Sequence, residues 1–377
     1  MKIALVSPYD FFYPGGVANH ILNLERQFTR LGHEVKVIAP ASGPVTLFGD
    51  RFIPIGTPRP VPSGGSIARV TLSTHKLKAI LEKENFDVIH LHEPLTPVLC
   101  TNVLRFSKTT NVGTFHATAK RPSYYTWSKF FYKIFLLKWF RRINVKIAVS
   151  RPAKEFANRH FRGDYTIIPN GVDIEHFNPD VPPIDEYCDG KLNILFVGRM
   201  EKRKGVGYLI EAYQRVKQEL PNSRLIIVGP GSRLRKKYEK MVEKKGLKDI
   251  VFIGQVNFPD LPRYYKTATV FCAPATGFES FGIVLLEAMA VGKPIVATNI
   301  EGYAGIVEHQ VEGLLVPPKD DRKLAEALIS LLNNKSLQEQ MGARGRARAA
   351  QYSWKTIAGQ VLDCYTKAVN DHVNNRK

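Results

Sequence analysis

The chain has 377 residues, 44% of them hydrophobic and 23% charged, with 54 Lys and Arg against 34 Asp and Glu for a formal net charge of +20. That balance excludes a disordered chain, a collagen and a polytopic membrane protein, and the length calls for two domains rather than one core. Cys100, Cys188, Cys272 and Cys364 lie too far apart for a short-spaced zinc site, and a chain of this size needs no disulfide scaffold, so a reduced, cytoplasmic protein is expected.

In chain order, short apolar runs alternate with stretches of helical period. Strands are expected over residues 2–6, 34–39, 87–91, 111–115, 146–149 and 165–168, with helices between several of them, among them 17–31 and 72–83. Ile21, Leu24, Phe28 and Leu31 recur every three or four residues, and Gly32 ends that helix. Residues 177–191, rich in Pro and Asp and without a period, read as a linker. The alternation then restarts, with strands at 193–197, 224–228, 250–253, 270–273, 294–297 and 314–316, and the chain from Asp321 onward reads as helical. Repeated strand–helix order means parallel sheets covered on both faces, so the expected fold is α/β with two doubly wound domains, the ligand between their strands' carboxyl ends. The run after Met1 is too short for a signal peptide, and no stretch reaches the ~20 apolar residues of a spanning helix.

Four segments carry chemistry. Pro14-Gly15-Gly16-Val17 follows the first strand and opens the first helix, where two glycines let a phosphate approach free N–H groups or simply make a tight turn. Gly229-Pro230-Gly231 reads as a turn, because proline removes a donor. In Gly198-Arg199-Met200-Glu201-Lys202-Arg203-Lys204-Gly205, Arg199 stands at a strand's carboxyl end and Lys204 just before a helix. Two fixed cations there suit a diphosphate leaving group, while Lys202 and Arg203 read as solvated. In the segment 278–292, Glu279 precedes a helix whose first N–H groups, at Phe281, Gly282, Ile283 and Val284, are free to meet an anion. Glu287, eight residues on in an otherwise apolar helix, is either a hydroxyl-binding carboxylate or a buried structural one. No D-x-D occurs, so a metal-held diphosphate has no obvious ligands, and the bare pair His90 and His92 reads as structural. No metal and no cofactor is expected.

The E-x7-E pair, the P-G-G-V loop, the G-R-x…K-G element and Ile168-Pro169-Asn170-Gly171-Val172-Asp173 together resemble retaining glycosyltransferases of the GT-B fold, family 4 type, over nearly the whole chain. The resemblance implies two Rossmann-like domains, residues 1–176 and 192–352, with a helix over 353–377 crossing back onto the first. The first half is most similar to bacterial phosphatidylinositol mannosyltransferases, through V-S-P-Y, His90-Leu91-His92-Glu93-Pro94, Thr114-Phe115-His116 and Gly65-Ser66-Ile67-Ala68-Arg69. By that resemblance Gly16 contacts the donor phosphate, Arg199 and Lys204 hold the diphosphate, Glu279 binds the donor sugar, Glu287 the ribose and His116 the reacting sugar. Tyr9 and Arg69 face a lipid head group, Thr118 lies in the acceptor loop, and the base is read near Val256. The sequence departs from that subgroup around Pro62-Ser63-Gly64 and over Ala117-Thr118-Ala119-Lys120-Arg121.

The charge fits this picture. Residues 1–170 hold 24 Lys and Arg against 10 Asp and Glu, whereas 171–377 hold 30 against 24. A basic excess in the half expected to hold the acceptor points to an anionic membrane surface, met by Arg59, Arg69, Lys76 and Lys78 at about 1 kcal/mol per side chain. Residues 129–142, with Lys129, Lys133 and Trp139, fit either a helix lying in a membrane interface or a core helix with basic flanks. The expected function is a hexosyltransferase at the cytoplasmic face of the membrane, moving mannose from the nucleotide sugar GDP-mannose to an anionic lipid such as phosphatidylinositol. Rivals are a UDP-sugar enzyme with another acceptor and, in a different class, a nucleic-acid-binding protein; the latter lacks any recognition motif. No nucleic acid is expected as a partner.

Overall fold

Every expected parallel strand forms, and the strands gather into two sheets belonging to two units, Met1–Asn170 with Trp354–Lys377, and Gly171–Ser353. The computed structural model describes all residues except Pro14, Gly64, Gly65, 119–128, Ser232 and 375–377.

The first unit runs β1 (Lys2–Val6), α1 (Gly16–Arg30), β2 (Glu34–Ala39), β3 (Phe52–Pro54), β4 (Pro58–Ser63), β5 (Ser66–Thr71), α2 (Leu77–Glu84), β6 (Val88–His92), α3 (Leu99–Phe106), β7 (Thr110–Phe115), α4 (Lys129–Phe140), β8 (Val145–Ala148), α5 (Arg151–His160) and β9 (Tyr165–Ile167). Seven strands lie in the parallel order β3-β2-β1-β6-β7-β8-β9. The chain therefore reverses direction between β1 and β6, where loops part at the carboxyl ends and a ligand crevice opens in doubly wound sheets. Leu77, Leu99, Val103 and Leu136 pack on one face of this sheet, and Ile21, Leu24 and Phe28 on the other.

Two features of this unit differ from the sequence reading. The helix expected over 72–83 begins at Leu77, because Lys76 takes a left-handed φ of 69° that a helix cannot continue through. The antiparallel ribbon β4–β5 was not expected, since Pro58, Pro60 and Pro62 speak against a strand. All three prolines fall in one phase of its register, opposite Thr71, Arg69 and Ile67, so the missing N–H groups share one edge.

The second unit holds β10 (Leu192–Val197), α6 (Val206–Glu219), β11 (Ser223–Val228), α7 (Arg233–Lys244), β12 (Ile250–Gly254), α8 (Leu261–Thr267), β13 (Val270–Ala273), α9 (Ile283–Ala290), β14 (Ile295–Thr298), α10 (Glu301–Ala304), β15 (Gly313–Val316), α11 (Asp321–Leu332) and α12 (Lys335–Gln351). Its parallel order β12-β11-β10-β13-β14-β15 reverses between β10 and β13. The segment 177–191, expected as a linker, is built into this unit. Phe177 and Tyr187 are buried in its core, Asn193 Nδ2 donates to the Tyr187 carbonyl at 2.9 Å, and Arg224 pairs with Asp189. Its prolines shape the path while widely spaced aromatics anchor it, a pattern too sparse to show a period.

The last helix, α13 (Trp354–Asn374), belongs to the first unit, as the family resemblance implied. Trp354, Ile357, Val361 and Tyr365 are buried against Ile3, Leu5 and Ile21 on the α1 face.

Candidate active site

In the second unit the crevice at the β10/β13 reversal is walled by two loops that hold each other closely. Thr276 N donates to the Arg203 carbonyl at 2.7 Å, and Arg203 Nη1 donates to the Phe278 carbonyl at 3.3 Å. Arg203 also pairs with Glu279 and, through Nε at 2.8 Å, with Glu201. Lys204 Nζ lies 2.8 Å from Glu279 Oε1, and Arg199 Nη2 lies 3.2 Å from Glu201 Oε1. Arg203 is therefore not the solvated residue its sequence context implied but the bridge between both loops. Three cations against Glu201 and Glu279 leave this wall net positive, as a diphosphate requires.

The E-x7-E pair straddles the start of α9. Gly282 caps the helix at φ 95°, a conformation open to glycine, and a Cβ there would meet the Tyr303 ring at 2.8 Å. Phe281 is buried in the core beneath, and α9 opens at Ile283 and Val284 with no side-chain cap, the kind of helix start whose N–H groups favour an anion. Glu287 accepts from the Tyr265 hydroxyl at 2.6 Å. Burial pushes its carboxyl up to about 7, against the opposing pull of that hydroxyl and of Lys204. Val256, half-buried, sits just beyond the end of β12.

The first unit gathers a different set at its own reversal. Gly16 is the first residue of α1, whose N-terminus has no side-chain cap, and a Cβ on Gly16 would meet nothing within 4 Å. The β4–β5 ribbon is stitched to the loop after β1: Tyr9 bridges Val70, Asp10 N donates to the Arg69 carbonyl at 2.8 Å, and the Arg69 guanidinium lies 4.9 Å from the Tyr13 ring. Tyr9 and Arg69 thus come together. Burial, with the Glu93 carboxylate nearby, raises the Tyr9 hydroxyl well above its usual range, so it stays a neutral donor.

His116 and Thr118 follow β7. Glu93 holds this turn: its Oε1 accepts from the backbone N–H groups of His116 at 2.8 Å and Ala117 at 2.7 Å. Glu93 itself sits at φ 51°, and burial raises its carboxyl to about 6. His90 and His92 are fully buried on one face of β6, as structural residues would be, but His92 Nδ1 also lies 3.0 Å from His116 Nε2.

Both units have known relatives. A family model described as glycosyl transferases group 1 matches residues 186–348, and one described as glycosyltransferase family 4 matches residues 14–176. A phosphatidyl-myo-inositol mannosyltransferase of Mycobacterium leprae (strain TN) is 36% identical over 371 residues, spanning 97% of this chain and 96% of that protein. The chain belongs to the family 4 type of glycosyltransferases. A further phosphatidyl-myo-inositol mannosyltransferase, of Propionibacterium freudenreichii subsp. shermanii, is 31% identical over 388 residues, covering 100% of this chain and 97% of the other. Among solved structures, sucrose-phosphate synthase from Thermosynechococcus elongatus shares the fold with a TM-score of 0.75 at 23% identity, over 97% and 98% of the two chains. Anabaena Alr3699/HepE, solved in complex with UDP, gives a TM-score of 0.75 at 21% identity over 97% and 100%. The two parallel sheets are thus those of a GT-B enzyme that transfers glycosyl groups.

Of the surface residues expected to face a membrane in this glycosyltransferase, Arg59, Lys76 and Lys78 are exposed. The side chains of Lys129 and Lys133 lie outside the described residues. Trp139 is corrected: with Leu136 and Phe140, at helical spacing, it is buried in the first unit's core, so that face of α4 is core and not interface. Among the described residues no helix is long and apolar enough to cross a membrane.

Proposed function

We propose that the enzyme transfers mannose, from GDP-mannose, to phosphatidylinositol or a closely similar anionic lipid, working as a peripheral hexosyltransferase at the cytoplasmic face of the membrane. The observation that carries this reading is the end-to-end similarity to phosphatidyl-myo-inositol mannosyltransferases, 36% over 97% of the chain. Exposed basic side chains in the acceptor-side unit fit an anionic lipid surface.

The chemistry needs little covalent help. As the sugar–phosphate bond breaks, charge grows on the diphosphate and is met by Arg199, Lys204 and the N-terminal N–H groups of α9. Glu279 accepts hydroxyl hydrogens of the sugar, and Glu287, backed by Tyr265, those of the ribose. A double displacement would need a free carboxylate beside the anomeric carbon on the acceptor side. Glu93 fits that role poorly, because Oε1 of its carboxylate is engaged by two backbone N–H groups. Glu279, the other candidate carboxylate, is paired with Arg203 and Lys204, and direct front-face transfer, which the family resemblance implies, is the favoured route, with Arg and Lys neutralising the leaving group.

Glu279→Gln and Lys204→Ala are each expected to abolish transfer while the circular dichroism spectrum stays native. A thermal-shift panel of GDP-, UDP- and ADP-sugars followed by transfer assays on defined lipids identifies donor and acceptor. Turnover retained in both variants defeats the site assignment, and stabilisation by UDP- but not GDP-sugars defeats the choice of donor.

A further inference from the structure

Around His116 lies a cluster in which His20 and His92 have no part in the transfer chemistry. One ring nitrogen from each of His20, His92 and His116 lies within 4.8 Å of the other two. The ring centroids stand 5.1 Å apart for His20–His92, 4.9 Å for His20–His116 and 5.3 Å for His92–His116. His20 Nδ1 is 2.8 Å from Asn170 Oδ1, an oxygen that only accepts, so the proton sits on Nδ1 and Nε2 carries a bare lone pair. That Nε2 is buried without a hydrogen-bond partner, in a residue 3% exposed. His90, held by Tyr365 and Thr114 at 2.6 Å each, lies with its ring centroid 4.3 Å from that of His92, tilted by 32°.

We propose that His20, His92 and His116 form a binding site for a borderline-soft divalent cation, zinc or cobalt in class. Neutral imidazoles are the ligating form, and burial holds all three below their usual protonation range. The donor set has nitrogen only, which excludes magnesium and calcium as occupants, since both demand oxygen. Two imidazole nitrogens on one tetrahedral zinc stand about 3.4 Å apart, given bonds of about 2.1 Å. His92 Nδ1 and His116 Nε2, at 3.0 Å, are already near that separation, and a small shift of His20, which keeps its Asn170 bond, closes the third edge from within 4.8 Å. Asn170 plays the part of the outer hydrogen-bond partner that orients a ligating histidine. His116 is the partly exposed member, so the fourth position opens on its side. A cation held there withdraws His116 from the reacting sugar and inhibits transfer; this consequence rests on the proposed activity, whereas the site itself does not.

The test is a cobalt titration of the untagged full-length protein at neutral pH, read by visible absorption. The expected result is one equivalent giving the intense band of tetrahedral cobalt, displaced by zinc, retained in His75→Ala and lost in His20→Ala and in His116→Ala. Asn170→Ala should weaken cobalt binding about 10- to 100-fold. Absence of the band overturns the site and leaves a purely hydrogen-bonded histidine network. Persistence of the band in His116→Ala, the variant least able to disturb the core, overturns it equally. A band in the wild type without zinc inhibition of transfer leaves the site standing and removes the role given to His116.

Discussion

Arg203 and Lys204 are neighbours in a run of three basic residues, and spacing alone separates the one that precedes a helix from the one that does not. What spacing does not carry is the far loop. Arg203 is aimed at Glu279, 76 residues away in sequence, and at the Phe278 carbonyl, a contact legible only once β10 and β13 are adjacent. Glu93 is similar: the sequence shows it only as one member of H-L-H-E-P, whereas the structure gives its Oε1 to the backbone of the His116 turn. Both are positioning residues, and Arg203 makes a sharp prediction. Arg203→Ala leaves Lys204 paired with Glu279 but lets the carboxylate drift, and a displacement of about 1 Å costs about 100-fold in rate. Transfer should therefore fall about 100-fold while the affinity for the free nucleoside diphosphate is unchanged, with Arg203→Lys recovering part of the loss. Equal weakening of nucleotide and nucleotide-sugar binding in a calorimetric titration would show instead that Arg203 only supports the loop.

At the scale of elements, the parallel strands were legible because each is a short run buried on both faces, bounded by helical period. The β4–β5 ribbon was hidden by its prolines, and residues 177–191 by the spacing of their anchors. The closeness of the donor loops was hidden for another reason: it is a property of two backbones, and only glycine betrays it. Gly205 adopts φ 76°, and a Cβ there would lie 1.9 Å from the Pro274 carbonyl oxygen, against rigid backbone at the end of β13. The left-handed conformation alone costs a non-glycine residue about 1–2 kcal/mol, and the clash adds to it by forcing the Arg199–Lys204 turn away from the Glu279 loop. Gly205→Ala should lower the second unit's melting temperature and weaken donor binding together. An unchanged thermal midpoint with normal donor affinity would mean that the two loops can separate at no cost.

At the scale of the whole molecule, the two units titrate in opposite senses. In the first unit burial lowers His20 to about 4 and holds His90, His92 and His116 well below their ordinary 6.5. Below pH 6.5 the unfolded chain binds protons that these rings refuse, so stability is present above that pH and is lost on acidification. One pH unit below the ordinary value, the proton withheld by His20 costs about 1.4 kcal/mol, and His90, His92 and His116 add to that loss in the same sense. Glu93, raised to about 6, works the other way, because the folded state holds its proton more tightly; it offsets about 1 kcal/mol of that loss. In the second unit Glu287, raised to about 7 from 4.5, makes that unit more stable as pH falls from about 7, and Lys293, which burial lowers to about 8, opposes it only weakly at the top of this window. The sequence places a reporter on one side only: of its three tryptophans, the described Trp139 and Trp354 belong to the first unit, and none lies between residues 171 and 353. Between pH of about 7.5 and about 5.5 the melting temperature read by tryptophan fluorescence should drop by several degrees, while the calorimetric transition of the second unit holds or rises. A tryptophan midpoint that stays fixed would mean that the histidine cluster is already charged in the folded protein. The neutral imidazoles on which both the placement of His116 and the cation site depend would then be excluded.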